Sequence, residues 1–364
     1  MTDLLLRNGR PWTPGLPLRS ADIAVAGGRI AAVGPGLDLE AAEVIDLDGA
    51  IVLPGLVDAH CHLDKTMFGG PWTPNTGGRT LEGRIANGEG RRAELGVPSA
   101  DYAANLLRAM AAAGTSFVRS HIDIDPEVGL GGVAAVREAA ARLSGAVDVE
   151  LVAFPQGGLL TRPGVPALLE AALADGVGTV GGLDPAGFDR DPTGQLDLLF
   201  DLAERHGASI DVHLHDRGLL GAWEYELIIE RTKALGMAGR VAISHAYAMG
   251  GLEPDHRRRI AEALAEAGVA MITCAVGGAP SSPCRSWPTR ARCSPSATTA
   301  SATCGPRTAT ATCSAASTRC PSATGSCPTR RSSSRSRPGR TAARPSSGST
   351  GTASRSDATR TCSP

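Results

Sequence analysis

The chain has 364 residues, 42% of them hydrophobic, and a formal net charge of -1, enough to bury one large core or two ordinary ones. No apolar stretch approaches the roughly 20 residues needed to span a bilayer. Met1-Thr2-Asp3-Leu4-Leu5-Leu6 lacks the basic and long apolar regions of a secretory leader, so a cytoplasmic location with no membrane partner is expected.

The near-zero charge hides two opposite segments. Residues 1–280 carry 23 basic and 36 acidic residues, a charge of -13. Residues 281–364 carry 13 Arg, no Lys and one acid, Asp357, a charge of +12.

In chain order, residues 1–52 read as a small β-sandwich part. Asp3–Gly9, Ala21–Ala26 and Arg29–Val33 are apolar or alternating runs, and Gly27-Gly28 sits between the last two as a hairpin turn would. Residues 53–280 then alternate strand with helix. Apolar strand runs fall at 51–57, 116–121, 149–154, 177–182, 209–213, 241–245 and 269–273. Helical periodicity covers 100–113, 133–143, 166–175, 193–206, 222–235 and 255–267, with Leu169, Ala172 and Leu173 on one face. Near-continuous apolar strands joined by helices imply a parallel sheet. The fold class is therefore α/β: a (β/α)8 TIM-type barrel, incomplete, with its eighth strand missing from a slot near 292–297.

Six of the eight histidines fall at candidate strand ends. His60 and His62 lie in Ala59-His60-Cys61-His62-Leu63, where period-two alternation puts both imidazoles on one side of the backbone. Further along stand Arg119-Ser120-His121-Ile122-Asp123, Phe154-Pro155-Gln156, Asp211-Val212-His213-Leu214-His215-Asp216 and Ile243-Ser244-His245. In a barrel these ends ring one mouth, where active sites are built. His60, His62 and His213 can supply three neutral nitrogens to one divalent metal ion, Fe(II) or Zn(II), with a position left for water. His245 is placed to hydrogen-bond the attacking oxygen or the developing tetrahedral centre. Asp216, three residues past His213, is a candidate proton shuttle. Gln156 offers a donor and an acceptor to the edge of a small heterocyclic substrate.

These motifs, together with Thr80-Leu81-Glu82-Gly83 and Ser244-His245-Ala246, resemble the amidohydrolase superfamily and, within it, the bacterial cytosine deaminase-like group. The resemblance implies a hydrolase of pyrimidine metabolism. Such an enzyme removes ammonia from a cyclic amidine such as cytosine, through water activated on one iron or zinc. Hydrolysis of another ring amide or amine, triazine- or creatinine-like, is the neighbouring reading. The resemblance implies a sandwich made from both chain ends, Leu81 and Gln156 against the substrate, a strand-six His (His245) near the attacking oxygen, and a strand-eight Asp as fourth ligand. Two departures stand out. The group has a Glu where this chain has Asp216, and the strand-eight Asp is absent. Without that Asp the chain as written is expected to be weakly active. Homo-oligomerisation is compatible with the reading.

The segment 281–364 has no Leu, Ile, Val, Met, Phe or Tyr and holds seven of the nine Cys without a Cys-x-x-Cys pair. Such a composition cannot offset its ordering entropy, so disorder is expected. It is what a GC-rich gene yields when read out of register. Read one base earlier, Ala297–Gly305 can become Gly-Asn-Asp-Gly-Ile-Arg-Asp-Leu-Trp, which restores an Asp where Thr299 now stands. The rival is a non-catalytic protein with a basic arm for nucleic acid. The lack of Lys, and of any aromatic beyond Trp287 to stack on bases, disfavours it.

Overall fold

The structure, a computed structural model, describes residues 2–273 and the backbone of 293–295. The expected disorder of 281–364 and the restored Asp at Thr299 otherwise lie outside the described residues.

The N-terminal elements β1 (Thr2–Pro11), β2 (Ala21–Ala26), β3 (Arg29–Gly34), β4 (Ala41–Asp46) and β5 (Ile51–Val52) form one five-stranded sheet in the order β3-β2-β1-β4, with β5 on β1. β2 and β3 pair antiparallel across Gly27-Gly28, whose φ values of 58° and 73° are the left-handed pair a tight hairpin turn needs. The sequence pattern missed β4, which pairs parallel with β1 although four of its residues are polar or small. Its pattern is weak because most of its side chains stay exposed.

The second sheet is parallel and runs β6 (Leu56–Cys61), β7 (Thr115–Asp123), β8 (Asp148–Phe154), β9 (Thr179–Leu183), β10 (Ser209–His213), β11 (Val241–Ser244), β12 (Ala270–Thr273) and β13 (Cys293–Pro295). From β6 to β12 each strand joins the next through helices: α1 (Leu81–Gly90), α2 (Arg92–Leu95) and α3 (Ala100–Ala112), then α4 (Gly131–Ala141), α5 (Val165–Ala174), α6 (Pro192–His206), α7 (Gly218–Ala234), and α8 (Ala248–Gly251) with α9 (Pro254–Ala267). This is the expected β/α barrel. In the slot near 292–297 the described residues are the three of β13, paired with β12 from Met271–Cys293 to Thr273–Pro295. Among the described residues no pairing joins β13 back to β6, so the barrel is incomplete there.

Two boundaries moved for physical reasons. The run 51–57 splits at Pro54-Gly55, so β5 goes to the small sheet and β6 begins at Leu56. His60 therefore sits inside a strand, one residue before its end. The helices α1 and α2 had no clear apolar periodicity; only Ile85 of α1 is buried. Thr80 caps α1, its hydroxyl accepting from Gly83 N at 3.1 Å.

The core lies between sheet and helices. Val118 and Ile122 of β7, Leu107 of α3, Val136 of α4, Leu169 of α5, Leu196 and Leu199 of α6 and Ile228 of α7 are fully buried. Each contributes about 2 kcal/mol by burial, enough to hold the strand ends at fixed spacing. No helix among the described residues is long and apolar enough to cross a membrane.

Candidate metal centre

β6, β7, β10 and β11 end at the same mouth of the barrel, and their histidines meet there. His60, His62, His121 and His213 each offer a nitrogen, and these atoms all lie within 4.8 Å of one another. All four side chains are buried. His62 Nε2 and His213 Nε2 are 3.4 Å apart. Two ligands bound at about 2.0–2.1 Å to one tetrahedral zinc stand about 3.3 Å apart, so this pair already has the required span. His60 Nε2 and the Nδ1 atoms of His62, His121 and His213 have no hydrogen-bond partner among the described residues. A buried nitrogen without a partner is costly unless something fills the point it faces, as at His60 Nε2. Burial holds the imidazoles of His60, His62 and His213 well below their ordinary pKa, and neighbouring histidines push the same way. They are neutral, as metal ligands must be. The donor set thus fits a divalent ion, and imidazole nitrogen suits zinc and iron alike.

Neighbouring groups orient the ring of His60. Its Nδ1 lies 2.9 Å from Ser244 Oγ, and that hydroxyl donates to Asp211 Oδ1 at 2.6 Å. Because the hydroxyl proton goes to Asp211, Ser244 accepts from His60 Nδ1–H. That tautomer leaves the Nε2 lone pair free for the cluster. Asp211 is fully buried. Burial opposes its ionisation, but His121, 3.4 Å away, together with Arg119 at 3.1 Å and Ser244, brings it down to about 2. Asp211 is therefore an anion beneath the cluster. Phe154 stacks on His213 at 4.1 Å between centroids and limits its rotation.

A cavity of about 740 Å3 opens above the cluster. His62, His213 and His245 line its floor, and Leu81, Ile85, Phe154 and Leu183 form an apolar wall. Leu81 and Gln156 both line the cavity. His245 does too. Its φ of 71° turns its buried ring over His60, centroids 4.6 Å apart.

Asp216 does not line this cavity. Its carboxylate accepts from Gly187 N at 3.1 Å. The alternation that brings His213 inward brings His215 inward and turns Asp216 away. His215 lines the cavity, stacks on His245 at 4.4 Å, and bonds Asp184 Oδ2 through Nδ1 at 2.8 Å.

Sequence reasoning gave no role to Lys65, His121, Asp184 or His215. Period two from His213 could have marked His215. Lys65 and Asp184 lie in loops, where no spacing rule applies. Lys65 Nζ donates to Asp123 Oδ1 at 2.6 Å and to the Gln156 side-chain oxygen. Arg79, Arg84, Arg91, Arg92 and Arg217 also border the cavity, against Glu89 and Asp123.

A cluster of buried imidazoles at one mouth of a parallel β/α barrel places the chain in the class of barrels with a histidine cluster able to hold a metal. The model of the amidohydrolase family matches residues 90–287, and the chain belongs to that family. It is 43% identical, with a TM-score of 0.72, to the structure of N-isopropylammelide isopropylaminohydrolase from Burkholderia multivorans ATCC 17616, covering 78% of this chain and 70% of that one. It is 29% identical over 266 residues to N-isopropylammelide isopropyl amidohydrolase of Pseudomonas sp. (strain ADP), covering 72% of this chain and 66% of the relative. It is also similar to 5-methylcytosine deaminase of Klebsiella pneumoniae liganded with 5-fluorocytosine, with 26% identity and a TM-score of 0.62 over 74% of this chain and 65% of that one. The chain thus spans just under two thirds of the length of the curated Pseudomonas relative.

Proposed function

We propose that the chain hydrolyses an exocyclic carbon–nitrogen bond on a nitrogen heterocycle that carries ring carbonyls, releasing the amine. His60, His62 and His213 would hold one divalent metal ion, with His121 beside them. When bound, such an ion would supply Lewis acidity, making water a better nucleophile by lowering its pKa towards about 7.

The remaining work falls to side chains. Phe154, Ile85, Leu183 and Leu81 flank the ring and exclude bulk water. His215 donates Nδ1–H to Asp184, so Nε2 carries its lone pair into the cavity; there it takes up a proton and returns it to the departing amine. This assigns to the His215–Asp184 pair the shuttle that spacing alone gave to Asp216. His245, stacked against His215, faces the carbon under attack and hydrogen-bonds the oxygen that becomes negative.

The observation that carries the substrate class is the Lys65–Gln156 contact. An ammonium cannot donate to an amide NH2, so the Gln156 oxygen is turned to Lys65 and its Nε2–H groups are left for the ligand. Beside them stands the Lys65 charge, and the rim adds five arginines. The edge is rich in donors and suits ring oxygens, as in the dioxo-triazine ring of an N-alkylammelide. Cytosine, with a single ring oxygen, is the second reading. It is supported by Gln156 and by the likeness to 5-methylcytosine deaminase.

The test is amine release by metal-supplemented protein from N-isopropylammelide and from cytosine, with Lys65→Met in parallel. Faster turnover of the ammelide, with its KM raised on the order of tenfold in Lys65→Met, supports the reading; a lost charge-assisted hydrogen bond is worth about that. Preference for cytosine, or a Lys65→Met enzyme unchanged on both, would refute it.

A further inference from the structure

Behind His215 lies a pair of acids, buried Glu224 and half-buried Asp216, that the proposed chemistry does not use. Glu224 projects from α7 and is fully buried, and among the described residues no Lys or Arg pairs with it. Its Oε1 accepts from Ala186 N at 2.9 Å. Its carboxyl interacts with the Asp216 side chain, and its Oε2 is buried. Asp216 in turn accepts from the next amide, Gly187 N. Two acids from the β10–α7 segment therefore grip two successive N–H groups of the turn that follows β9.

That turn begins at Asp184, whose φ of 31° is a left-handed conformation unusual for a residue with a side chain. Such a conformation costs on the order of 1–3 kcal/mol and persists only where its surroundings enforce it. What it achieves is to direct the Asp184 carboxylate back onto His215, bonding both His215 N and Nδ1. The turn is closed further by Phe188 N on Asp184 O at 2.8 Å and by Asp184 N on His213 O at 2.9 Å.

We infer that Glu224 is a positioning residue: with Asp216 it holds the 184–188 turn by its backbone N–H groups and so keeps Asp184 on His215 Nδ1. Burial, then the charges of Asp216 and Asp184, push the Glu224 carboxyl up to about 8 despite the Ala186 bond. In its neutral form it can donate from one oxygen while Oε1 accepts from Ala186 N. Gln has the same shape, acceptor and donor. Leu has the volume and neither polar function. The inference rests on the reading of His215 as proton carrier, but its main readout needs no substrate.

The experiment follows the low-field imidazole N–H proton of the His215–Asp184 bond by NMR, assigned by its loss in Asp184→Asn. Glu224→Gln should keep the resonance, and Glu224→Leu should shift it upfield or lose it. Gly187→Ala tests the same brace from the other side. A Cβ there would meet Asp216 Oδ1 at 3.1 Å and Asp184 Cβ at 3.3 Å, and the same upfield movement is expected. Gly187→Ala decides the matter should the Leu variant fail to fold. In turnover, Glu224→Leu should lower kcat on the order of tenfold, as small misplacements of a catalytic group do. That loss should vanish in an Asp184→Asn background, while Glu224→Gln stays near wild type. A resonance unmoved by Glu224→Leu or Gly187→Ala, or lost equally in Glu224→Gln, would overturn the inference. Absence of turnover on both heterocycles would refute the proposed reaction and leave the resonance to decide the brace.

Discussion

Replacing Ser244 by Ala removes one hydroxyl that serves two buried partners. Asp211 Oδ1 loses its 2.6 Å donor and His60 Nδ1–H its 2.9 Å acceptor, with both residues fully buried. A buried polar group left without a partner costs about 1–3 kcal/mol. Asp211 keeps Arg119 and His121, so its share belongs at the low end. The pair together should cost about 2–4 kcal/mol, which for a domain of this size lowers Tm by roughly 4–8 °C. The second consequence is specific to the metal. With the acceptor at Nδ1 gone, His60 no longer has a reason to place its proton there. The tautomer with the proton on Nε2 becomes accessible, and it cannot bind the ion. Loss of such an orienting partner typically weakens metal binding 10–100-fold. Competition with a fluorescent zinc chelator, alongside thermal unfolding of the metal-free protein, measures both effects. If Ser244→Ala bound zinc as tightly as wild type, the assignment of the Ser244–Asp211 pair as the support of His60 would be refuted. If only Tm fell, the hydroxyl would be structural.

The raised Glu224 carboxyl makes a pH prediction. Its ordinary pKa is 4.5 and its folded value is about 8, so above 4.5 the unfolded chain sheds a proton that the folded chain retains. The stabilising contribution is complete below 4.5 and is lost as pH rises through 8. Denaturant titrations should therefore find Glu224→Gln equal to wild type near pH 4.5 and progressively more stable, by on the order of a few kcal/mol, up to pH 8; a constant difference across that range would contradict it. The tail makes another: resequencing the gene around codons 275–285 should reveal a frame that encodes Asp at the Thr299 position. Early stop codons in that frame, or any other residue there, would make the basic tail genuine.

The barrel was legible because its strands are buried on both faces and its helices are amphipathic. Both give patterns that survive without tertiary information, as in Val149–Phe154 or the Leu169–Leu173 face. His60, His62, His213 and His245 were legible for a related reason: the ends of barrel strands are fixed by those same patterns. What the pattern misplaced follows from its coarseness. Asp216 was chosen by its distance from His213, yet alternation in an extended chain turns His215, and not Asp216, into the cavity. Lys65, Asp184 and the arginine rim sit on loops and on two short helices whose positions depend on tertiary contacts. The role of Ser244 became visible only when β11 was laid beside β10, putting its hydroxyl between Asp211 and a histidine 184 residues away in sequence.

The central claim is that His60, His62 and His213 bind one divalent ion at the barrel mouth. Metal content of the purified protein by inductively coupled plasma mass spectrometry, for wild type and for His62→Ala and His213→Ala, tests it most directly. The account predicts about one equivalent of zinc or iron in wild type and a loss of most of it in either variant. Wild-type protein without bound metal after metal-supplemented expression, or an equivalent retained in both variants, would contradict it.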